Sequence, residues 1–416
     1  MRILQLSYER TPKRLAPAGG DLGMYQNLCA MVELGHEVHL AVIGARERVD
    51  PEVRALVASV DEIAPKPTPF ALRPLQRFLN PETFALRFPA ASGYLAAITD
   101  LVSRYKPELV WADSSFALGL APRAQLPVVF GNYDFLFKLK AVRRATASQG
   151  RLRDVRDLRA LRRRIRRPDA LSARALEAFE LRLAAEAAHV MCVSSSEADF
   201  LRGKGIASTH IPIVGPTIAR SAAASGAQPA RFFLFGNHNT AHAAALSEIR
   251  HHLWPALERA GVRAEWHQIG RAPQHPDDDW KWMERSFAKV HGFVDDLGAV
   301  FRQGDLSIVP YRHDTGFRTK FTVAAAYGVA SAGYEETFFC APEFSRSIDC
   351  ISERDAEGLA TALGRAAKDP GWRESLGAAA RTLYESTYTF EAQLPRYQQI
   401  LRTALDARPV RTTVEG

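Results

Sequence analysis

The sequence predicts an α/β protein with two domains in tandem, each an open parallel sheet with helices on both faces. Strand-like apolar runs alternate with helical patterns, the alternation breaks in a proline-, glycine- and alanine-rich stretch at 210–230, and it then restarts. The length of 416 residues suits two to three domains of ordinary size. Because such sheets bind ligands at the carboxyl ends of their strands, we expect a site there, facing an interdomain cleft.

The N-terminal half opens with a strand, a loop, a helix and a second strand. RILQLSY predicts a strand over 2–8, DLGMYQNLCAMVELG a helix over 21–35, and HEVHLAVIG a half-buried strand over 36–44. The later predicted elements of this half are strands over 108–113, 126–132 and 189–195 and a helix over 175–187. These elements predict a first domain over 1–212.

The C-terminal half repeats the alternation and predicts a second domain over 217–387. Its predicted strands cover 231–237, 263–270, 288–296, 305–311 and 328–334. Its predicted helices cover 246–261, 357–368 and 371–384.

The net charge of +8 and the pI near 9.4 favour an anionic partner. Much of the excess lies in 138–167, where apolar residues recur every three to four positions and predict a basic amphipathic helix. Two interpretations stay open: a solvated face whose leucines pack on the domain, or a surface that binds anionic membranes. Nucleic acid is disfavoured, because no nucleic-acid-binding motif accompanies the charge.

The cysteines and the apolar runs exclude several other classes. Four widely spaced cysteines without a C-x-x-C pair indicate neither a zinc site nor a disulfide framework. No window reaches the ~18 uncharged apolar residues of a membrane-spanning helix, and the N-terminus lacks a signal-peptide pattern. We therefore expect a cytoplasmic protein, with peripheral membrane association if 138–167 binds lipid.

The stretch YRHDTGFRTKFTVAAAYG, from Tyr311 to Gly328, combines a strand end, a glycine loop, two cations and a helix start. Arg318 and Lys320 stand just before the predicted helix, where cations oppose the helix dipole unless an anion is shared. Backbone N–H groups, a helix N-terminus and nearby cations bind phosphate groups. The stretch predicts a diphosphate site; the alternative is a pair of exposed surface cations.

Three segments of the C-terminal half resemble the donor domain of GT-B glycosyltransferases of family 4, especially the exopolysaccharide type. They are FLFGNHNTAHAAALSEIRHHLWPAL, WHQIG and the run from VHGFVDDLG to YGVASAGYEET. In the N-terminal half, Gly19-Gly20 resembles the diglycine loop of the family, and FELRLAAEAAHVMCVSSSEADFLRGKG a second family segment. The most specific part is the pattern from His291 to Gly328.

The resemblance implies a GT-B fold, in which two Rossmann-like domains face each other across a cleft. It also implies that the segment 388–405 forms a helix that crosses back onto the N-terminal domain. The implied activity is retaining transfer of a sugar from a nucleotide-sugar to a glycan or lipid-linked acceptor in polysaccharide or glycoconjugate synthesis, with no metal cofactor.

The resemblance also implies roles for individual residues. Arg318 and Lys320 would stabilise the leaving diphosphate, and Asp113 would face the acceptor, although a residue there more often caps the next turn. The implied donor-binding residues are Gly19, Gly20, Gly236, His238, Gly292, Phe293, Val294, Asp314, Thr315, Gly316 and Phe317. The alternative interpretation is that many of them are ordinary turn glycines and solvated loop residues without a role in donor binding.

Two positions depart from the family pattern. Val323 stands where the family places the glutamate that binds the donor ribose, and His313-Asp314 replaces the first glycine of a G-x-G pair. Three hypotheses stay open: a sugar transferase, a nucleotide-sugar 2-epimerase, and a non-catalytic GT-B subunit of a glycan-assembly system.

Overall fold

The computed structural model describes residues 1–14, 19–44, 47–64, 94–139, 173–215, 229–237, 239–313 and 316–407. His238, Asp314, Thr315 and nearly all of the basic segment 138–167 lie outside the described residues. The chain divides into two compact units, one made of Met1–Ile211 with Leu394–Gly416 and the other of Pro212–Gln393. Each unit is built on its own parallel sheet.

The N-terminal unit contains a seven-stranded parallel sheet in the order β3-β2-β1-β4-β5-β6-β7. Its strands are β1 Arg2–Tyr8, β2 Glu37–Ile43, β3 Ser59–Ile63, β4 Leu109–Asp113, β5 Val128–Asn132, β6 His189–Cys192 and β7 Ser208–His210. Its helices are α1 Gly19–Glu33, α2 Pro51–Leu56, α3 Tyr94–Tyr105, α4 Ser115–Leu120, α5 Ala173–Ala185 and α6 Ser195–Gly203. The central strands read as continuous apolar runs because helices cover both faces of the sheet.

The C-terminal unit contains a six-stranded parallel sheet in the order β10-β9-β8-β11-β12-β13. Its strands are β8 Arg231–Phe235, β9 Glu265–Ile269, β10 Lys289–Val290, β11 Leu306–Val309, β12 Ala330–Tyr334 and β13 Cys350–Glu353. Its helices are α7 Thr240–Glu248, α8 Trp254–Arg259, α9 Asp278–Ser286, α10 Thr319–Ala326, α11 Glu335–Phe338, α12 Ala356–Lys368 and α13 Pro370–Thr387. The last helix, α14 Phe390–Asp406, belongs mostly to the N-terminal unit.

Both sheets reverse their strand order once, and the reversals locate the expected sites. In the N-terminal unit the chain builds β1 to β3 outward on one side and then starts again at β4, beside β1. In the C-terminal unit it builds β8 to β10 and restarts at β11, beside β8. Open α/β sheets bind ligands at such switch points, beyond the carboxyl ends of the strands.

The predicted α/β class with two Rossmann-like sheets is confirmed, and most predicted strands are present within two residues. The strand predicted over 288–296 is only two residues long, because the chain turns at Gly292, where φ is +71°. The helix predicted over 246–261 contains a π-helical turn at Ile249–Leu253. Pro255 follows that turn, and a proline has no N–H to continue an α-helical ladder.

Candidate functional site

Three glycines join the carboxyl ends of β8, β9 and β10 in the C-terminal unit. The amide of Gly236 donates to the carbonyl of Ile269 at 2.9 Å, and the amide of Gly270 donates to the carbonyl of Gly292 at 2.7 Å. A Cβ on Gly270 would lie 2.1 Å from the Gly236 carbonyl oxygen, so no side chain fits there. The strand ends therefore form one tight backbone edge.

Lys320 lies across this edge. It comes from the first turn of α10, and a Cβ on Gly236 would be 2.8 Å from its Cε and 3.0 Å from its Nζ. Gly236 has a φ of +131°, a conformation that glycine adopts far more readily than other residues. The missing side chain of Gly236 thus makes room for the ammonium group of Lys320.

Arg318 and Lys320 both lie over the ring of Tyr311, which follows β11. The guanidinium carbon of Arg318 is 4.9 Å from the ring centroid, and the Lys320 Nζ is 5.3 Å from it. Arg318 also donates to the carbonyl of His313 at 2.5 Å. The aromatic face attracts both cations and brings them together at the switch point of the sheet.

The start of α10 adds to this positive potential. Arg318 occupies the N-cap position of this eight-residue helix, and its side chain makes no cap hydrogen bond to the first-turn amides. Among the residues that the structure describes, no carboxylate pairs with the ammonium of Lys320. Uncapped amides, the positive end of a helix dipole and two cations are the elements that bind phosphate oxygens. The structure therefore brings together the groups that the predicted diphosphate site requires, and the site itself stays a prediction.

An exposed aromatic ring marks the β9 and β10 end of the same edge. Phe293, one residue after Gly292, is 55% exposed, and the guanidinium carbon of Arg271 lies 4.8 Å from its ring centroid. The amide of Arg271 donates to the side chain of Asn237 at 3.1 Å, which ties its backbone to the loop after β8. An exposed ring beside a guanidinium is a surface on which a planar base stacks.

The remaining predicted residues of this unit have ordinary structural surroundings. Val294 packs against the apolar cluster of Phe233, Phe235 and their neighbours. Phe317 packs against the main core, with its ring centroid 6.2 Å from that of Tyr388. Gly316 is buried with a φ of +54°. The predicted donor contacts of these residues stay predictions.

In the N-terminal unit, Asp113 is 1% exposed at the end of β4. Its Oδ1 accepts hydrogen bonds from Asn27 at 3.1 Å, Trp111 at 3.0 Å and the Tyr133 hydroxyl at 2.6 Å, and its Oδ2 accepts one from Gln5 at 2.6 Å. Burial raises the pKa of Asp113 to about 6, although the hydrogen bonds oppose that rise.

This network fixes the last helix of the chain to the sheet. The hydroxyl of Tyr397, on α14, donates to the Asn27 side chain at 2.7 Å and accepts from Gln26 at 3.1 Å. Gly131 borders the network, since a Cβ there would lie 2.9 Å from Asp113 Oδ1. Buried and fully hydrogen-bonded, Asp113 holds β1, β4, α1 and the loop after β5 together; its predicted contact with an acceptor stays a prediction.

The diglycine and the residue after Asp113 lie at the same end of the N-terminal sheet. Gly19 and Gly20 begin α1, and a Cβ on Gly20 would be 2.8 Å from the guanidinium of Arg10. Ser114 has φ +105° and ψ 157°, a strained backbone for a residue with a side chain. Strain of this kind concentrates at functional positions, so the β4 end is the candidate acceptor side of this unit.

Sequence reasoning missed several residues that complete these sites. Tyr311 beneath the two cations and Arg271 beside Phe293 resemble ordinary core and surface residues in the sequence. Gly270 was visible as the end of a strand, but its contact with Gly236 depends on strand order. The part of the chain that the structure describes contains no cluster of three or more His, Cys, Asp or Glu side chains suited to a metal ion.

The N-terminal half of the sequence is similar to a known family. Residues 19–217 match the family model described as a glycosyl transferase 4-like domain. No curated protein matches the sequence.

Solved structures match over nearly the whole chain. Sucrose-phosphate synthase from Thermosynechococcus elongatus aligns with a TM-score of 0.68 and 15% identity, covering 98% of this chain and 100% of that one. Anabaena HepE in complex with UDP-glucose aligns with a TM-score of 0.63 and 14% identity, covering 97% and 100%. WaaG, a glycosyltransferase involved in lipopolysaccharide biosynthesis, aligns with a TM-score of 0.56 and 13% identity, covering 96% and 99%.

The fold of the chain is the GT-B fold of these solved glycosyltransferases. Residues 19–217 are similar to the glycosyl transferase 4-like domain, and the two parallel sheets have the same fold as the solved structures above. None of the described helices is long and apolar enough to cross a membrane.

Proposed function

We propose that this enzyme transfers a sugar from a nucleoside-diphosphate sugar to a glycan or lipid-linked acceptor, with retention of the anomeric configuration. The observation that carries the proposal is the convergence of Arg318 and Lys320 over one tyrosine ring, beside the glycine edge of three strands. One solved structure with the same fold, Anabaena HepE, is a complex with UDP-glucose, which supports a nucleotide-sugar donor.

Leaving-group stabilisation is the central catalytic effect in this proposal. When the glycosidic bond breaks, the diphosphate gains negative charge, and preorganised donors around that charge lower the barrier. Arg318 and Lys320 supply two positive charges, and the first turn of α10 supplies backbone N–H groups. We expect these groups to stabilise the leaving diphosphate without a resident metal ion.

The aromatic end of the site gives the donor its orientation. With the diphosphate at Lys320, the base would stack near Phe293 and Arg271, at the ends of β9 and β10. A planar base gains from both the ring face and the guanidinium. The basic segment 138–167 would favour a lipid-linked acceptor at an anionic cytoplasmic membrane face.

The experiment is incubation of the purified protein with UDP-, GDP- and dTDP-sugars, with and without candidate glycan acceptors. We expect release of the nucleoside diphosphate with transfer or slow hydrolysis of the sugar, and product with the anomeric configuration of the donor by NMR. Inversion would refute retention. Epimerisation of the donor, or nucleotide binding without turnover of any donor, would contradict the proposed transferase activity.

A further inference from the structure

Phe293, Val323 and Lys320 of the C-terminal unit are together called the strip, in which Val323 is related to both other residues. Val323 is three residues after Lys320 on α10, so the two side chains are neighbours on one helix face, roughly 5 to 6 Å apart at Cβ. Val323 and Val294 pack against the same apolar cluster, and Val294 follows Phe293. Val323 therefore connects the cationic end of the strip to its aromatic end.

The ends of the strip differ in chemistry from the middle. The Phe293 ring with the Arg271 guanidinium suits a base, and Lys320 across Gly236 suits a phosphate group. Between them Val323 is half-buried and offers only methyl groups. In a nucleoside diphosphate the ribose lies between base and phosphates, so the ribose would face this valine.

Three carboxylates of the C-terminal unit, those of Asp296, Glu335 and Glu336, have the following surroundings. Asp296 accepts from the Gly298 amide at 2.8 Å and caps a 3-10 turn. Glu335 lies 3.4 Å from Arg354 and 4.0 Å from Arg346. Glu336 interacts electrostatically with Arg312, whose guanidinium carbon lies 3.7 Å from the ring centroid of Tyr334, although the Oε2 of Glu336 is buried without a hydrogen-bond partner among the described residues.

We propose that this enzyme reads its donor through the base and the diphosphate but not through the ribose hydroxyls, and that Val323 sets this tolerance. The inference rests on the proposed function and adds the substrate class: 2′-deoxynucleoside diphosphate sugars are accepted alongside ribonucleotide donors. A site with a buried hydroxyl acceptor penalises a deoxy ligand, since the acceptor is then unpaired. A valine leaves no polar group unpaired, so the penalty is small.

The test is calorimetric titration of the wild-type protein with UDP and dUDP, with dTDP and GDP as further ligands. We expect the dissociation constants of UDP and dUDP to agree within tenfold, about 1.4 kcal/mol. A UDP preference larger than tenfold overturns the inference while leaving the proposed function in place. Failure of every nucleotide to bind would overturn the proposed function itself.

Two variants make the assignment specific to Val323. Val323→Glu places a carboxylate in the strip, so we expect it to increase the preference for UDP over dUDP by about tenfold. Val323→Leu is the matched apolar control and should keep the wild-type ratio. An unchanged ratio in a folded Val323→Glu protein would contradict the placement of the ribose. If Val323→Glu does not fold, the wild-type comparison still decides the tolerance.

A third variant tests the strongest alternative acid. We expect Glu336→Gln to leave the ratio of the UDP and dUDP dissociation constants unchanged. A UDP preference in the wild type that disappears in Glu336→Gln would identify Glu336 as a ribose-reading acid and refute the inference.

Discussion

Replacing Gly236 by alanine should displace Lys320 while leaving its charge in place. The new Cβ would lie 2.8 Å from the Lys320 Cε, whereas carbon atoms in ordinary contact are about 3.5 to 4.0 Å apart. The lysine end must therefore move by about 1 Å. It is the far end of a flexible side chain, so the movement itself costs little stability.

The backbone at Gly236 determines the stability cost of this substitution. Alanine at a φ of +131° is strained by about 1 to 3 kcal/mol, which we expect as the fall in the free energy of unfolding. A shift of about 1 Å in a catalytic group costs roughly 10²-fold in rate. We therefore expect turnover of Gly236→Ala to fall by about 10²-fold at a temperature where the variant is fully folded.

Gly261→Ala is the matched control in the same unit. Gly261 also has a positive φ, of +63°, but apart from its chain neighbours no heavy atom of the described residues lies within 4 Å of the position of its Cβ. This variant should lose about 1 to 2 kcal/mol of unfolding free energy and keep its turnover. Denaturant unfolding of both variants measures the cost of backbone strain, and steady-state kinetics measure the additional effect of displacing Lys320 in Gly236→Ala.

A double-mutant cycle then tests the link between Gly236 and Lys320. In a Lys320→Ala background the alanine at 236 displaces nothing, so Gly236→Ala should cost much less turnover than in the wild type. Additive losses, or wild-type turnover in the single Gly236→Ala variant, would refute the reasoning.

Three other predictions concern the N-terminal unit and the basic segment. The pKa of Asp113 is raised from 3.8 to about 6 by burial, so the folded state binds this proton more tightly. The stabilisation that the protonated Asp113 contributes is complete below about pH 4 and is lost as the pH rises through about 6. Relative to Asp113→Asn, the wild type should therefore lose about 3 kcal/mol of unfolding free energy between these pH values. Parallel pH profiles of the two proteins would refute this prediction. Ser114→Gly should raise the unfolding free energy by about 1 kcal/mol, because glycine relieves the backbone strain at φ +105°. The control Ser194→Gly, at a helix N-cap with an ordinary φ of −110°, should not raise it. If Ser114→Gly is less stable than the wild type, the backbone of Ser114 is not strained. The segment 138–167 should bind anionic vesicles at low salt, at about 1 kcal/mol per basic residue near the surface, and equal sedimentation with neutral vesicles would count against it.

The fold was largely predictable because buried parallel strands read as continuous apolar runs. RILQLSY became β1 with the predicted bounds, Arg2–Tyr8. The strands that escaped prediction, such as Ser59–Ile63 and Ser208–His210, are short and lie at the edges of the sheet, where polar residues interrupt the pattern.

The candidate donor site could be proposed from the sequence in part because its two cations lie where a helix dipole disfavours them. Arg318 and Lys320 stand at the start of a helix, against the dipole, and an anion resolves that conflict. Tyr311, which brings the cations together, carries no such signal, because an aromatic residue after a strand is usual core material. The burial of Asp113 depends on partners as distant in sequence as Gln5 and Tyr133, which only the folded sheet brings together.

The most direct test of leaving-group stabilisation is the turnover number of Arg318→Ala and of Lys320→Ala with a donor that the wild type uses. Arg259→Ala is the control, since its side chain is 62% exposed on the outer helix α8. Loss of one charged donor at the developing phosphate charge should lower turnover by about 10²- to 10³-fold. The unfolding free energy should fall by about 1 to 2 kcal/mol in Arg318→Ala, which loses its hydrogen bond to the His313 carbonyl, and by less in Lys320→Ala, so turnover is measured where both variants are fully folded. The control should match the wild type. Near-wild-type turnover in both variants would contradict the assignment of the diphosphate to this site.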